Sequence, residues 1–157
     1  AGLRATGIEL VPQRHAIAEE AHAALLQRVP AAAARARFRC EDALAVTEPL
    51  EGATHVLCNN AVWADRLNAD IARHVATAAR ELVALAMLKA LSAEALETSG
   101  LVLTRRSAVA VSWDPVGWPV YIYCPRVAVG DAAEVQTDQS FHVAEASRLA
   151  GGLAFGC

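Results

Sequence analysis

Apolar positions recur along this chain with two periods, two in short runs and about 3.6 in longer ones. Thr6-Gly7-Ile8-Glu9-Leu10 is a short apolar run ending in an acid and predicts a buried strand. Pro12 suits a first helical turn. The helix it opens runs to about Val29, with Ile17, Ala21, Ala24, Leu25 and Val29 on one face. Pro30 stops it, and Ala31 to Ala36 offers a second helical patch. Arg35 to Cys40 alternates as a strand does and runs into Glu41-Asp42. Glu48 to Gly52 reads as a loop, His55 to Cys58 as a buried strand closed by Asn59-Asn60, and Leu67 to Ala79 as a helix.

Leu82 to Leu91 is ambiguous. Ala, Leu, Met and Lys all favour helix. The order strand, helix, strand, strand, helix nevertheless calls for another parallel strand here, so Leu82 to Leu88 is assigned to a central parallel strand. Ser92 to Thr98 predicts a short helix, with Ser92 as its N-cap and Gly100 after it. Leu101-Val102-Leu103 opens the terminal antiparallel strands. These include Val109 to Trp113, a turn, and Pro119 to Tyr123. Alternation puts Val109, Val111 and Trp113 on one face, and Tyr121 and Tyr123 on one face. Asp131 to Ser140 is expected to be loop and Gly151 to Cys157 disordered. No internal repeat is present.

Length bounds the picture: 157 residues suit one domain with a real core. The division expected is a domain over 1–127 and a tail over 128–157. Hydrophobic residues make up 55% of the chain, which excludes a disordered polypeptide, although alanine thins the core. The net charge is −3 and no dense Lys/Arg run occurs, which disfavours nucleic acid as the primary partner. Cys40, Cys58, Cys124 and Cys157 are scattered, so neither a zinc site nor a disulfide framework is signalled, and a reducing compartment is expected. No apolar run is long enough for a membrane span. The chain opens on Ala1 beside its first strand and reads as N-terminally truncated.

Several residues carry candidate chemistry. Glu9 and Asp42 end two successive strands, where open α/β sheets bind ligands. Such acids accept ribose hydroxyls and an adenine amino group. The alternative for each alone is an ordinary turn acid. Asn59-Asn60 ends the next strand. An asparagine there offers one acceptor and one amide donor, enough to orient an amine. Trp113, Tyr121 and Tyr123 are placed to wall a narrow apolar channel, or simply to pack a half-buried sheet. His15, His22, His55, His74 and His142 show no metal spacing, and His15 and His22 read as exposed. No Gly-rich phosphate loop and no nucleophile elbow occur.

Together these residues resemble the Dot-one family (disruptor of telomeric silencing), the non-SET histone lysine methyltransferases. Gly7-Ile8-Glu9 looks like the family's second strand with its ribose-binding acid, and Glu41-Asp42 like its adenine-binding acid. Cys58-Asn59-Asn60-Ala61-Val62-Trp63 is similar to its Val-Asn-Asn-Phe-x-Phe signature, with Ala61 in place of the first Phe. Val111-Ser112-Trp113, then Gly117-x-Pro119-Val120, resembles its late hairpin. The likeness runs from about Leu3 to Pro125 and lacks the family's Gly-rich first motif and basic DNA-holding segment.

The resemblance implies a Rossmann-like class I methyltransferase sheet with flanking helices and a C-terminal antiparallel hairpin. It implies methyl transfer from S-adenosylmethionine to a lysine ε-amine, on a nucleosomal histone in the nucleus (lysine seventy-nine of histone three). Glu9, Asp42, Asn59 and Trp63 would hold the cofactor. Asn59, Trp113 and Tyr121 would serve the reaction, with Tyr121 against Tyr123 left open for the channel. A class I methyltransferase with another substrate and an inactive Rossmann-like binding domain are the rivals.

Overall fold

The structure is a computed structural model that describes residues 3–111, 114–126 and 136–137. Strand β1 (Ala5–Glu9) leads through helix α1 (Pro12–Arg28) and a helical turn α2 (Pro30–Ala33) into β2 (Ala36–Cys40). β1 and β2 pair in parallel, from Ala5 opposite Ala36 to Glu9 opposite Cys40. Gly7 is required there. A Cβ at this position would lie 2.8 Å from Phe38 Cδ1, in space the ring already fills.

The later described residues build a second sheet. Its strands are β3 (His55–Cys58), β4 (Ala84–Met87), β5 (Leu101–Val111), β6 (Asp114–Pro125) and β7 (Gln136–Thr137), in the spatial order β3-β4-β6-β5-β7. β3 and β4 are parallel, whereas β6 is antiparallel to both β4 and β5. The chain therefore passes β4, lays down β5 one slot away, and the hairpin returns β6 into the space between. Helices α3 (Glu48–Glu51), α4 (Asp65–Ala78) and α5 (Ala93–Ser99) complete the fold.

The strand assigned to Leu82–Leu88 against its helical composition is present as β4. It is flanked by β3 and β6, and Leu85 and Met87 are 0% exposed. Tertiary pairing overrides propensity because both ladder edges are satisfied at once. Ile71, Ala72 and Val75 of α4 pack in the same core, with Leu101 and Tyr123. α5 is capped as expected: Ser92 Oγ accepts from Ala95 N at 3.1 Å, and Gly100 closes the helix at φ 68°.

Some expectations are corrected. The segment Glu48–Gly52 holds the helical turn α3, because Pro49 suits a first turn and Thr47 O accepts from Leu50 N and Glu51 N. Within Asp131–Ser140, Gln136 and Thr137 pair in parallel with Arg105 and Arg106. β6 begins at Asp114, so Trp118 is in a strand and not in the turn assigned between Trp113 and Pro119. His15 and His22 are half-buried. His22 meets Ala33 O at 2.9 Å and packs edge-on against Phe38. The α1 stripe is a helix face but not a buried one: α1 buries no residue, and Ile17 is 66% exposed. Neither strand read as buried is so along its length: β1 has no buried residue, and β3 buries only Cys58, with Leu57 72% exposed. Trp113 and most of the tail over 128–157 lie outside the described residues.

Two core groups give stability predictions. Tyr123 OH accepts the buried amide of Leu91 at 2.9 Å. Tyr123→Phe leaves that amide without its partner and should cost about 1–3 kcal/mol in denaturant unfolding. Burial pushes the Cys58 thiol up to about 11 from 9.0 and raises Tyr123 as well, Leu91 opposing that rise. Both groups fold best in their neutral forms. Their contribution is complete below the unfolded pKa and is lost as pH climbs through the folded value. Stability should therefore fall between pH 9 and 11, and Cys58→Ala, though less stable at neutral pH, should lose less over that interval.

Candidate active site

The best-organised polar group lies where β3 and β4 end. Asn60 is 0% exposed, and every polar atom of its amide is used. Its Oδ1 accepts from Leu88 N at 2.7 Å and Lys89 N at 3.1 Å. Its Nδ2 donates to Asn68 Oδ1 at 2.9 Å and reaches Lys89 O at 3.4 Å. Asn68, on α4, is itself 1% exposed. One side chain thus ties the carboxyl end of β3 to the loop after β4 and to α4. A buried amide is stable here because it is satisfied, and the same satisfaction fixes the path of Leu88 and Lys89.

That path shapes a cavity of about 510 Å³ at the carboxyl ends of the two parallel strands. Ala61 and Asp65 line it from the β3 side, Leu88 to Ser92 from the β4 loop, and Trp118, Pro119 and Tyr121 from β6. Trp118 Nε1 donates to Leu88 O at 3.1 Å, so the indole is pinned to the loop that Asn60 holds. The Arg106 guanidinium lies 5.6 Å from the centre of the Tyr121 ring, within cation–π range. Lys89 Nζ is 2.8 Å from Asp65 Oδ1 and donates to Trp63 O at 3.0 Å. The lysine charge is balanced at the rim, and the walls are aromatic and aliphatic.

The candidate acids sit on the other sheet. Glu9 ends β1, and Glu41 and Asp42 follow β2; Glu41 N donates to Glu9 O across the pair. Glu9 Oε1 accepts from Val11 N at 2.9 Å, and Asp42 Oδ1 accepts from Leu44 N at 2.9 Å. Each carboxylate shapes its own turn with one oxygen. Glu41 instead pairs with Arg39, which also meets Glu48. Both partners raise the arginine further above its ordinary value, Glu41 most strongly. Glu41 is thus committed to Arg39.

Asn59 is exposed on the loop after β3, beside the buried Asn60. Trp63 is half-buried, packs against the core, and receives Asn68 Nδ2 and Lys89 Nζ on its carbonyl. Tyr121 lines the cavity, and Tyr123 lies beneath it at 1% exposure. Of the two tyrosines, only Tyr121 faces the cavity. Trp118, Lys89 and Asp65 escaped the sequence reading. Trp118 follows Gly117 and read as turn, and its odd spacing from Tyr121 gave no strand signal that the two would line one cavity. Among the described residues no group of His, Cys, Asp and Glu is arranged to hold a metal ion, and no helix is long and apolar enough to cross a membrane.

Parallel strands crossed by helices, acids at the strand ends and a closing antiparallel hairpin define an α/β fold of the class I methyltransferase kind. In structure the chain is similar to magnesium protoporphyrin IX methyltransferase from Synechocystis PCC 6803, crystallised with bound S-adenosylmethionine. The TM-score is 0.59 at 13% identity, over 80% of this chain and 61% of that one. The chain spans about three fifths of that enzyme's length. No protein-family model matches the chain. No curated protein sequence matches it. The structural likeness concerns the fold, and the Dot-one resemblance is carried by the sequence motifs alone.

Proposed function

We propose that this chain carries out methyl transfer from S-adenosylmethionine. The observation that carries the reading is a methyltransferase fold in which Glu9 and Asp42 stand at the carboxyl ends of one parallel strand pair and an aromatic-lined cavity at those of the other. The residues present fit the cofactor. Glu9 would accept from a ribose diol, and Asp42 from an adenine amine. When bound, the cofactor supplies an electrophilic methyl group on sulfur. The chain's own residues supply binding and orientation, which dominate a displacement of this kind. A charged hydrogen bond of the Glu9 type is worth about 1.5–3 kcal/mol. Glu9→Ala should therefore weaken S-adenosylmethionine binding about ten- to a hundred-fold by calorimetry. Unchanged affinity would leave Glu9 as a turn acid only.

The finer reading of the acceptor is a lysine ε-amine, on a nucleosomal histone in the nucleus. It rests on the Asn59-Asn60 segment and the late hairpin. Asn59 orients the neutral amine through its carbonyl, and Tyr121 and Trp118 wall its approach. A second reading, a flat apolar small molecule, is favoured by the cavity's aromatic lining and by the porphyrin in the matched enzyme's name. Side-by-side transfer of labelled methyl to nucleosomes, histone peptides and a protoporphyrin separates the two. Label on the nucleosomal histone supports the first and label on the macrocycle the second.

A further inference from the structure

The segment that follows β2 carries Asp42 and then runs onto helix α4. Its first part is a tight turn: Asp42 Oδ1 accepts from Leu44 N, and Asp42 O accepts from Ala45 N at 2.9 Å. Ala43 and Leu44 are half-buried against the core, and Val46 and Leu50 are buried. Arg39 reaches forward to Glu41 and Glu48 and draws the two ends of the segment together. A buried carbonyl in such a turn needs a partner. For Val46 O that partner comes from α4: His74 Nε2 lies 2.7 Å away. A carbonyl oxygen only accepts, so the imidazole carries its hydrogen on Nε2 and donates it.

Helix α4 therefore grips two places with polar side chains. Asn68 takes Asn60, which fixes the loops around the cavity. His74, about 9 Å further along the helix axis, takes the loop that carries Asp42. Between them Ile71, Ala72 and Val75 are buried in the core, so the helix is a rigid spacer. The distance from the cavity to the Asp42 turn is set by α4, and His74 is the polar contact at the far end. Neither the strand ends nor the cavity wall uses this histidine otherwise.

We infer that His74 is a positioning residue for the adenine end of the cofactor, acting through Val46 and the Asp42 turn. The inference rests on the reading of Asp42 as the acid that meets the adenine amine. A carboxylate accepts from that amine. It opposes the carbonyl oxygen that replaces the amine in hypoxanthine. Preference for adenine over hypoxanthine thus measures how well Asp42 is placed. Without the imidazole, the Val46 carbonyl is left buried without a donor and turns towards water. Val46 follows Ala45, whose amide is bonded to Asp42 O, so the turn moves with it. The effect falls on base recognition rather than on the cavity, because Asn68 and Asn60 hold the cavity loops independently of His74.

Titration of the full chain with S-adenosylhomocysteine and with its deaminated counterpart, S-inosylhomocysteine, tests the inference. Wild type should prefer the adenine form by about tenfold to a hundredfold, and His74→Ala should cut that preference to under about threefold. His74→Gln should keep it, because the glutamine Nε2 also donates from the end of a side chain of similar reach. Should His74→Ala fail to fold, His74→Leu fills the same space without a donor and is compared with His74→Gln in the same way. A general loss of stability weakens both ligands alike and leaves their ratio unchanged. An undiminished ratio in the Ala or Leu variant would therefore overturn the role of His74 and leave the cofactor reading standing. Equal loss in the Gln variant would overturn it as well, since the donor would not be what matters. Wild type that binds both ligands equally would remove Asp42 as the adenine acid, and the inference with it. Wild type that binds neither would overturn the cofactor reading itself.

Discussion

Asn60→Ala is expected to destabilise the fold by about 3–5 kcal/mol. The substitution strips partners from Leu88 N, Lys89 N and Asn68 Oδ1 in one step. Each buried group left unsatisfied costs about 1–3 kcal/mol, and partial relaxation or water entry returns some of it. Asn68 sits at 1% exposure, so relaxation is limited. A loss this large is uncommon for one substitution and is diagnostic of a broken buried network. Urea unfolding should show the midpoint falling with little change in slope. A loss under about 1 kcal/mol would mean that the loop after β4 holds its path without Asn60.

The neighbouring substitution should behave in the opposite way. Asn59 is exposed, so Asn59→Ala should leave stability within about 0.5 kcal/mol. The effect should fall on the rate. If the Asn59 carbonyl orients the acceptor amine, its contact is made chiefly in the reacting geometry. Losing one preorganised polar contact of that kind costs about tenfold to a thousandfold, or about 1.4–4 kcal/mol. Single-turnover methylation of nucleosomes separates this from binding, because cofactor affinity should change little. A wild-type rate in Asn59→Ala would reduce the tandem asparagines to structure alone. Trp118→Ala should also slow transfer, through the lost wall and the freed Leu88 carbonyl.

The tandem pair shows how far the sequence could be read. That Asn59-Asn60 closes a strand was legible, because two amides follow an apolar run and the turn residues that suit a hairpin are absent. Which of the two would be buried was not, since it depends on Asn68, eight positions on, and on a loop twenty-eight positions away. β4 was legible only through the order of elements; its own composition argued for helix. The capped helix α5 was legible in full, because Ser92 and Gly100 act locally. Trp118 was missed because the hairpin turn was drawn too long. The uncovered faces of α1 and β3 were out of reach, since periodicity shows that a face is apolar and not whether anything lies against it.

The central claim is that these strand ends bind S-adenosylmethionine for methyl transfer. A cofactor titration followed by amide chemical shifts tests it most directly, since it detects weak binding residue by residue. Saturable shifts are predicted at Glu9–Leu10, Asp42–Ala43 and Asn59–Ala61, reproduced by S-adenosylhomocysteine and diminished in Glu9→Ala. Shifts that are absent at millimolar cofactor, or that cluster away from these strand ends, would contradict the account.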